Sequence, residues 1–150
     1  MHLLVSACLL GVCCRYDGRG NPLPQDSLDA LLRQHQCIPV CPEIMGGLPT
    51  PRPPAERQGD QVVTQEGQDV TAAFQRGAQE TRKLAELFRC QAALLKERSP
   101  SCGCGTIYDG SFSHTRVPGD GLAAQTLKAA GLSVYGESDL PCLLSPSGTE

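Results

Sequence analysis

Residues 2–7 read HLLVSA and run straight into CLLG at residues 8–11, and the reading of this opening decides the fold. A short apolar run with no polar alternation suits a strand covered on both faces, the kind found inside parallel sheets. The rival reading is a secretory leader. That would need a basic leading segment and a longer apolar stretch, and MHLLVSACLLG has neither.

Working outward from this strand, Asp17-Gly18 and Gly20-Asn21-Pro22 are turn formers. Asp26 stands where a helix cap is expected, ahead of Leu28, Leu31 and Leu32 on one side, with an end near His35. Residues 38–40 (IPV) form a second strand closed by Cys41-Pro42-Glu43, and GGLPTPRPP at 46–54 reads as a stiff loop. Residues 61–69 read as a small hairpin or irregular turn around Glu66-Gly67. From Val70, the positions Phe74, Gly77, Thr81, Leu84 and Phe88 follow the spacing of a core-facing helical stripe. Residues 91–96 give a third strand, followed by a glycine- and proline-rich stretch over 99–120. Asp120 is placed to cap a last helix closed by Gly131, before a final strand at 132–135. Residues 140–150 read as a loose tail. The order β-α-β-α-β-α-β predicts one Rossmann-like α/β domain over residues 1–150, its mostly parallel sheet carrying helices on both faces.

At 150 residues the chain matches the usual size of one domain. Thirteen basic against sixteen acidic residues leave a net charge of -3, and the basic residues are scattered, so no nucleic-acid duplex partner is expected. No stretch approaches the roughly 18 apolar residues of a membrane span, which excludes a membrane partner of that kind and points to the cytoplasm. A monomer or small homo-oligomer fits these properties.

Nine cysteines are the anomaly. An odd count without an export signal argues against a disulfide framework and for free thiols, either buried as small hydrophobes or used in metal chemistry. In open parallel sheets, ligands bind beyond the carboxyl ends of the strands. Cys8 ends the first predicted strand, Cys41 ends the second, and Cys102 follows the third. Three thiolates brought together there suit zinc, copper(I) or an iron–sulfur cluster, and three ligands leave a coordination position open for chemistry. Glu43, two residues past Cys41, is a candidate general base; Ser99 and Ser101 flank Cys102 and can relay a proton or orient water. One internal echo stands out: Tyr16-Asp17-Gly18 after Cys8, and Tyr108-Asp109-Gly110 after Cys102. It reads either as two common Asp-Gly turns or as two loops shaping one site.

VSACLLG (5–11), CRYDG (14–18), PVCPEIMGGLPTPRPPAE (39–56) and LLKERSPSCGCGTIYDGSFS (94–113) together resemble the thiouracil desulfidase family. The likeness extends to GDGLAAQTL near the last helix and so covers nearly the whole chain. It implies a [4Fe-4S] cluster on Cys8, Cys41 and Cys102 with one open iron, acting on a small thiolated pyrimidine to release uracil and sulfide by non-redox cleavage of the carbon–sulfur bond. Glu43 carries over as the acid–base residue, and Ser99, with Ser101 second, as the assisting serine. Arg52 and the backbone of Gly46 and Gly47 are the candidates for holding the pyrimidine edge.

Six cysteines are surplus to this set. Cys104, Cys13 and Cys14 lie near enough in sequence to compete as a fourth ligand, whereas Cys37 and Cys90 read as near-core residues and Cys142 as a free thiol. A closed fourth position would instead make the chain a non-catalytic zinc or iron–sulfur module. The same chemistry on a thiolated nucleoside or tRNA-derived substrate is a further alternative. A nucleotide-binding Gly-x-Gly-x-x-Gly is absent after the first strand.

Overall fold

The structure is a computed structural model that describes residues 1–145. Its centre is a four-stranded parallel sheet in the order β2-β1-β5-β8, from β1 (His2–Ser6), β2 (Gln36–Val40), β5 (Ala92–Leu95) and β8 (Ser133–Gly136). Leu3, Leu4 and Val5 pair with Cys37, Ile38 and Pro39 on one side and with Ala92, Ala93 and Leu94 on the other. The opening strand is therefore a central one, which is why it carries no polar alternation.

Both faces are covered, as the element order requires. Leu3, Val5 and Leu94 point to a cluster that takes in Leu28 and Leu31 of α1 (Gln25–Gln34). Leu4, Ala93 and Leu95 point the other way, against Ala85 of α3 (Thr71–Leu87) and Ala124 and Leu127 of α4 (Leu122–Ala129). Two-residue alternation in a strand thus feeds two separate cores. None of the helices is long and apolar enough to cross a membrane, among the described residues.

Two short antiparallel hairpins stand beyond the carboxyl ends of the sheet. β3 (Ala55–Gln58) pairs with β4 (Gln61–Thr64), and β6 (Thr106–Tyr108) pairs with β7 (Arg116–Pro118). The first hairpin turns at Gly59-Asp60, and the expected turn at Glu66-Gly67 follows it as an irregular one, closed by a single bridge between Val63 and Asp69. The second lies inside the stretch that its glycines and prolines marked as loop.

Three further differences have local causes. Asp120 does not cap α4: Gly121 takes that position, and the Asp120 carboxylate instead accepts the Gly105 N–H and Lys128 Nζ. Residues 42–45 form a single helical turn, α2 (Pro42–Met45), because Pro42 at its start lacks the donor that a helix start would leave unpaired. Finally, the loose tail does not begin at 140. Glu137–Leu143 form a 3-10 helix whose Leu140 and Leu143 are buried in the α1-side core, since apolar side chains there close the edge of that cluster. Residues 146–150 of the expected tail lie outside the described residues.

Candidate functional site

Beyond the carboxyl ends of β1, β2 and β5 lies a cavity of about 570 Å³. Cys8 enters it from a 3-10 turn (Ala7–Leu10) that directly follows β1. Cys41 enters at the junction of β2 and α2, and Cys102 from the turn after β5. The three strand-end cysteines therefore share one cavity, and Cys14 lines it as a fourth thiol. Cys13 is exposed and faces the Gly11 carbonyl, while Cys104 turns away to the Val134 carbonyl at 3.4 Å. Neither lines the cavity, so a fourth ligand at Cys104 or Cys13 has no support in the geometry.

Burial favours the neutral thiols of Cys8, Cys14 and Cys102 in the metal-free protein. Burial, then the neighbouring thiol of Cys102, pushes Cys8 up to about 12, against a partial opposing pull from Lys96. Burial also raises Cys102 to about 11, opposed by hydrogen bonds from Ser6 and Ser101. Cys14 is raised to about 12 by burial and by Cys41. These mutual influences place the thiols within one another's fields. Among the described residues, though, no three Cys, His, Asp or Glu side chains gather tightly enough to wrap a single ion. A polynuclear centre has corners of its own and reaches thiolates that stand further apart.

Beside the thiols runs a continuous polar chain. Glu43, in the first turn of α2, receives Arg52 Nε on Oε1 at 2.9 Å and the Ser101 hydroxyl on Oε2 at 2.8 Å. Ser101 in turn lies 2.9 Å from the Ser99 hydroxyl and 3.6 Å from Cys102 Sγ. The two serines have different partners. Ser99 Oγ accepts the backbone N–H groups of Ser101 and Cys102, at 3.1 and 3.0 Å, so it shapes the turn. Ser101 is the serine that touches the carboxylate.

Arg52 is 9% exposed, and it lines the cavity. Besides Glu43, its guanidinium donates to the Pro49 carbonyl, the Thr50 hydroxyl and the Cys14 carbonyl. Four of the five donors of an arginine are thus engaged inside the protein. The Pro-rich loop exists to carry this group inward. Gly46 and Gly47, by contrast, fall outside the cavity lining. A Cβ on Gly46 would overlap the Ala73 backbone, and one on Gly77 the Pro42 backbone. The pair lets α2 lie directly on α3, which fixes the positions of Cys41 and Glu43.

Sequence reasoning passed over Ser6, Lys96 and Glu137. Ser6 donates to Cys102 Sγ at 3.4 Å and accepts the Lys96 backbone N–H at 2.9 Å. Lys96 Nζ is held by Glu137 at 3.0 Å, and the same carboxylate takes the Glu97 N–H at 2.7 Å. The lysine at the end of the AALL run was the available signal, because a charged residue directly after a buried strand lies at the ligand-binding edge.

Fold and site together define a single-domain parallel α/β protein with a thiol-lined cleft at its strand ends. The chain belongs to the 2-thiouracil desulfurase family, whose sequence model matches residues 3–139. It is 39% identical over 152 residues to the uncharacterized protein YbbK of Bacillus subtilis (strain 168), covering 95% of this chain and 99% of that protein. Among solved structures it is similar to a [4Fe-4S]-dependent thiouracil desulfidase, TudS. That similarity has a TM-score of 0.90 and 48% identity, and covers 95% of this chain and 94% of that one.

Proposed function

We propose that this chain is a [4Fe-4S]-dependent enzyme that hydrolyses the carbon–sulfur bond of thiolated pyrimidines, converting 2-thiouracil and water to uracil and hydrogen sulfide. One observation carries the reading: the Glu43 carboxylate, hydrogen-bonded by Arg52 and Ser101, shares a cavity with the thiols of Cys8, Cys41 and Cys102. Family membership and the 48% identical TudS structure support the same chemistry.

The residues present fit such a cluster. Thiolates from three separate strand ends are the donors it takes, and the cavity has room beyond them for a small heterocycle. When bound on Cys8, Cys41 and Cys102, the cluster supplies an iron with a free position, a Lewis acid for a soft thiocarbonyl sulfur.

The protein's own groups do the proton work. Glu43 takes a proton from the water that attacks the carbon bearing sulfur, within reach of the reacting atoms at the cavity wall. Ser101, donating to Glu43, orients the carboxylate and the water between them. Arg52 holds the other carboxylate oxygen and keeps the base aimed inward. The departing sulfur leaves as sulfide, and the oxygen of water remains on the ring, so no electrons are exchanged with a second substrate.

Anaerobic purification and reconstitution test this directly. The expected result is brown protein containing iron and acid-labile sulfide in equal amounts that releases uracil from 2-thiouracil. Colourless protein with stoichiometric zinc and no uracil release would overturn it and favour a non-catalytic thiolate module.

A further inference from the structure

The chain has only three tyrosines and three phenylalanines. Three of these six, Tyr16, Tyr108 and Phe112, line the one cavity that holds the thiols, and His114 joins them there. None of the four belongs to either hydrophobic core cluster. Of the others, Phe74 is fully buried, Tyr135 packs on the α1-side core, and Phe88 is exposed beside the amino end of β5. Both arms of the Tyr-Asp-Gly echo thus bring their tyrosine to the same site.

Backbone geometry singles out the same wall. Among the described residues, four non-glycine residues adopt left-handed φ: Arg89, Arg98, Phe112 and His114. Three of them line the cavity. Such conformations cost of order 1 kcal/mol each and persist only where the surroundings over-determine them, which happens mainly at ligand-binding sites.

The over-determination here is visible. Glu56, on the neighbouring hairpin, accepts the N–H groups of Gly110 and Phe112 on Oε1 at 3.0 and 3.2 Å. Gln58 donates to the Gly110 carbonyl at 2.9 Å, and a Cβ on Gly110 would strike the Arg57 backbone, so the two hairpins are locked together at this point. Tyr108 and His114 meet edge to face at 6.0 Å, closing the other side of the loop.

We infer that the β6–β7 loop is a preformed stacking wall for a planar heterocycle. Phe112 is the binding residue that supplies the ring face, and Glu56 is the positioning residue that holds it. The inference rests on the proposed desulfurization and names the part of the site that selects a ring-bearing thiocarbonyl over an open-chain one. It gives the substrate a holder on the cavity wall, which Gly46 and Gly47 do not line. Phe112 is half-buried and lies outside the core, so it is replaceable without a cavity in the fold.

The test measures equilibrium binding of uracil to the reconstituted enzyme by calorimetry, beside KM and kcat for 2-thiouracil. Base–aromatic stacking predicts about ten-fold weaker binding in Phe112→Leu and little change in Phe112→Tyr. A wall that holds substrate and transition state alike raises KM and leaves kcat within about two-fold. Glu56→Ala should do the same, with a lower melting temperature because two backbone N–H groups lose their acceptor; a fall in kcat alone would assign it a different role. Unchanged uracil binding in Phe112→Leu, in an enzyme whose wild type turns over thiouracil, overturns the wall and leaves the function standing. Phe112-dependent uracil binding without any sulfide release sinks the function and leaves the wall. A folded wild type that binds no uracil overturns the inference outright.

Discussion

Ser101 donates its hydroxyl to Oε2 of Glu43 at 2.8 Å across 58 positions of sequence, joining the turn after β5 to the first turn of α2. The contact ties the segment carrying Cys102 to the segment carrying Cys41. Ser101→Ala should therefore lower turnover, by about 10–100-fold, with iron content unchanged. Ser99→Ala removes the acceptor for two backbone N–H groups and should mainly cost stability, about 1–2 kcal/mol, read from denaturant midpoints. Equal catalytic losses without any stability difference would contradict this division.

Glu43→Gln keeps the size of the side chain and removes the base. Uracil release should fall about 10²–10⁴-fold while iron and sulfide remain bound. Arg52→Ala attacks the same pair from the other end. Because both side chains are largely buried, loss of the cation leaves a carboxylate without its counter-charge and should destabilise the protein by about 3–5 kcal/mol. Thermal melting of the two variants checks the asymmetry.

Cys14 decides between an open and a closed centre. In the proposed three-ligand arrangement, Cys14→Ala retains iron, whereas Cys8→Ala, Cys41→Ala or Cys102→Ala loses it. Iron analysis of the four reconstituted variants is sufficient, and iron loss in Cys14→Ala would favour the closed module.

The pH dependence of the metal-free protein follows from its thiols. Cys8 and Cys14 stand near 12 and Cys102 near 11, all raised by burial above an ordinary value of 9.0. A folded value above the unfolded one means that the folded state holds the proton more tightly. The resulting stabilisation is complete below about pH 9 and is lost as the pH climbs towards 12. Melting temperatures should fall across that window, and Cys8→Ala should flatten the fall. The same thiols must release protons to a metal centre, so reconstitution should weaken as the pH drops.

Gly77→Ala places a methyl group against the Pro42 backbone and should lift α2 from α3. A destabilisation of about 1–3 kcal/mol is expected, with a loss of activity out of proportion, because Cys41 and Glu43 shift together. Wild-type activity in a destabilised Gly77→Ala protein would show that α2 tolerates displacement.

How far the sequence could be read depended on whether a residue's role was local. The β1 run, the 71–87 helical stripe and the three strand-end cysteines depend on periodicity and element order, and these were legible. Arg52 was not. Its neighbours in sequence are prolines, and only the folded loop shows the guanidinium turned inward on Glu43. Ser99 and Ser101 are equivalent in a linear motif and differ only in which one reaches across 58 positions to the carboxylate. The β6–β7 hairpin was hidden because its strands are three residues each and its glycines and prolines imitate loop. At Gly46 the sequence could not show the neighbouring helix backbone, which leaves no room for a Cβ there.

Lys96 beside Cys8 is held in place by Glu137, close to the last described turn of the chain. The cleft thus takes its walls from residues 8, 41, 52, 96 and 102, and a clamp from residue 137. During synthesis, a ribosome that has released Cys8 and Cys41 has still to make the turn bearing Cys102 and the clamp on Lys96. Completion of the cleft is consequently a late event, which waits on synthesis at least as far as residue 137.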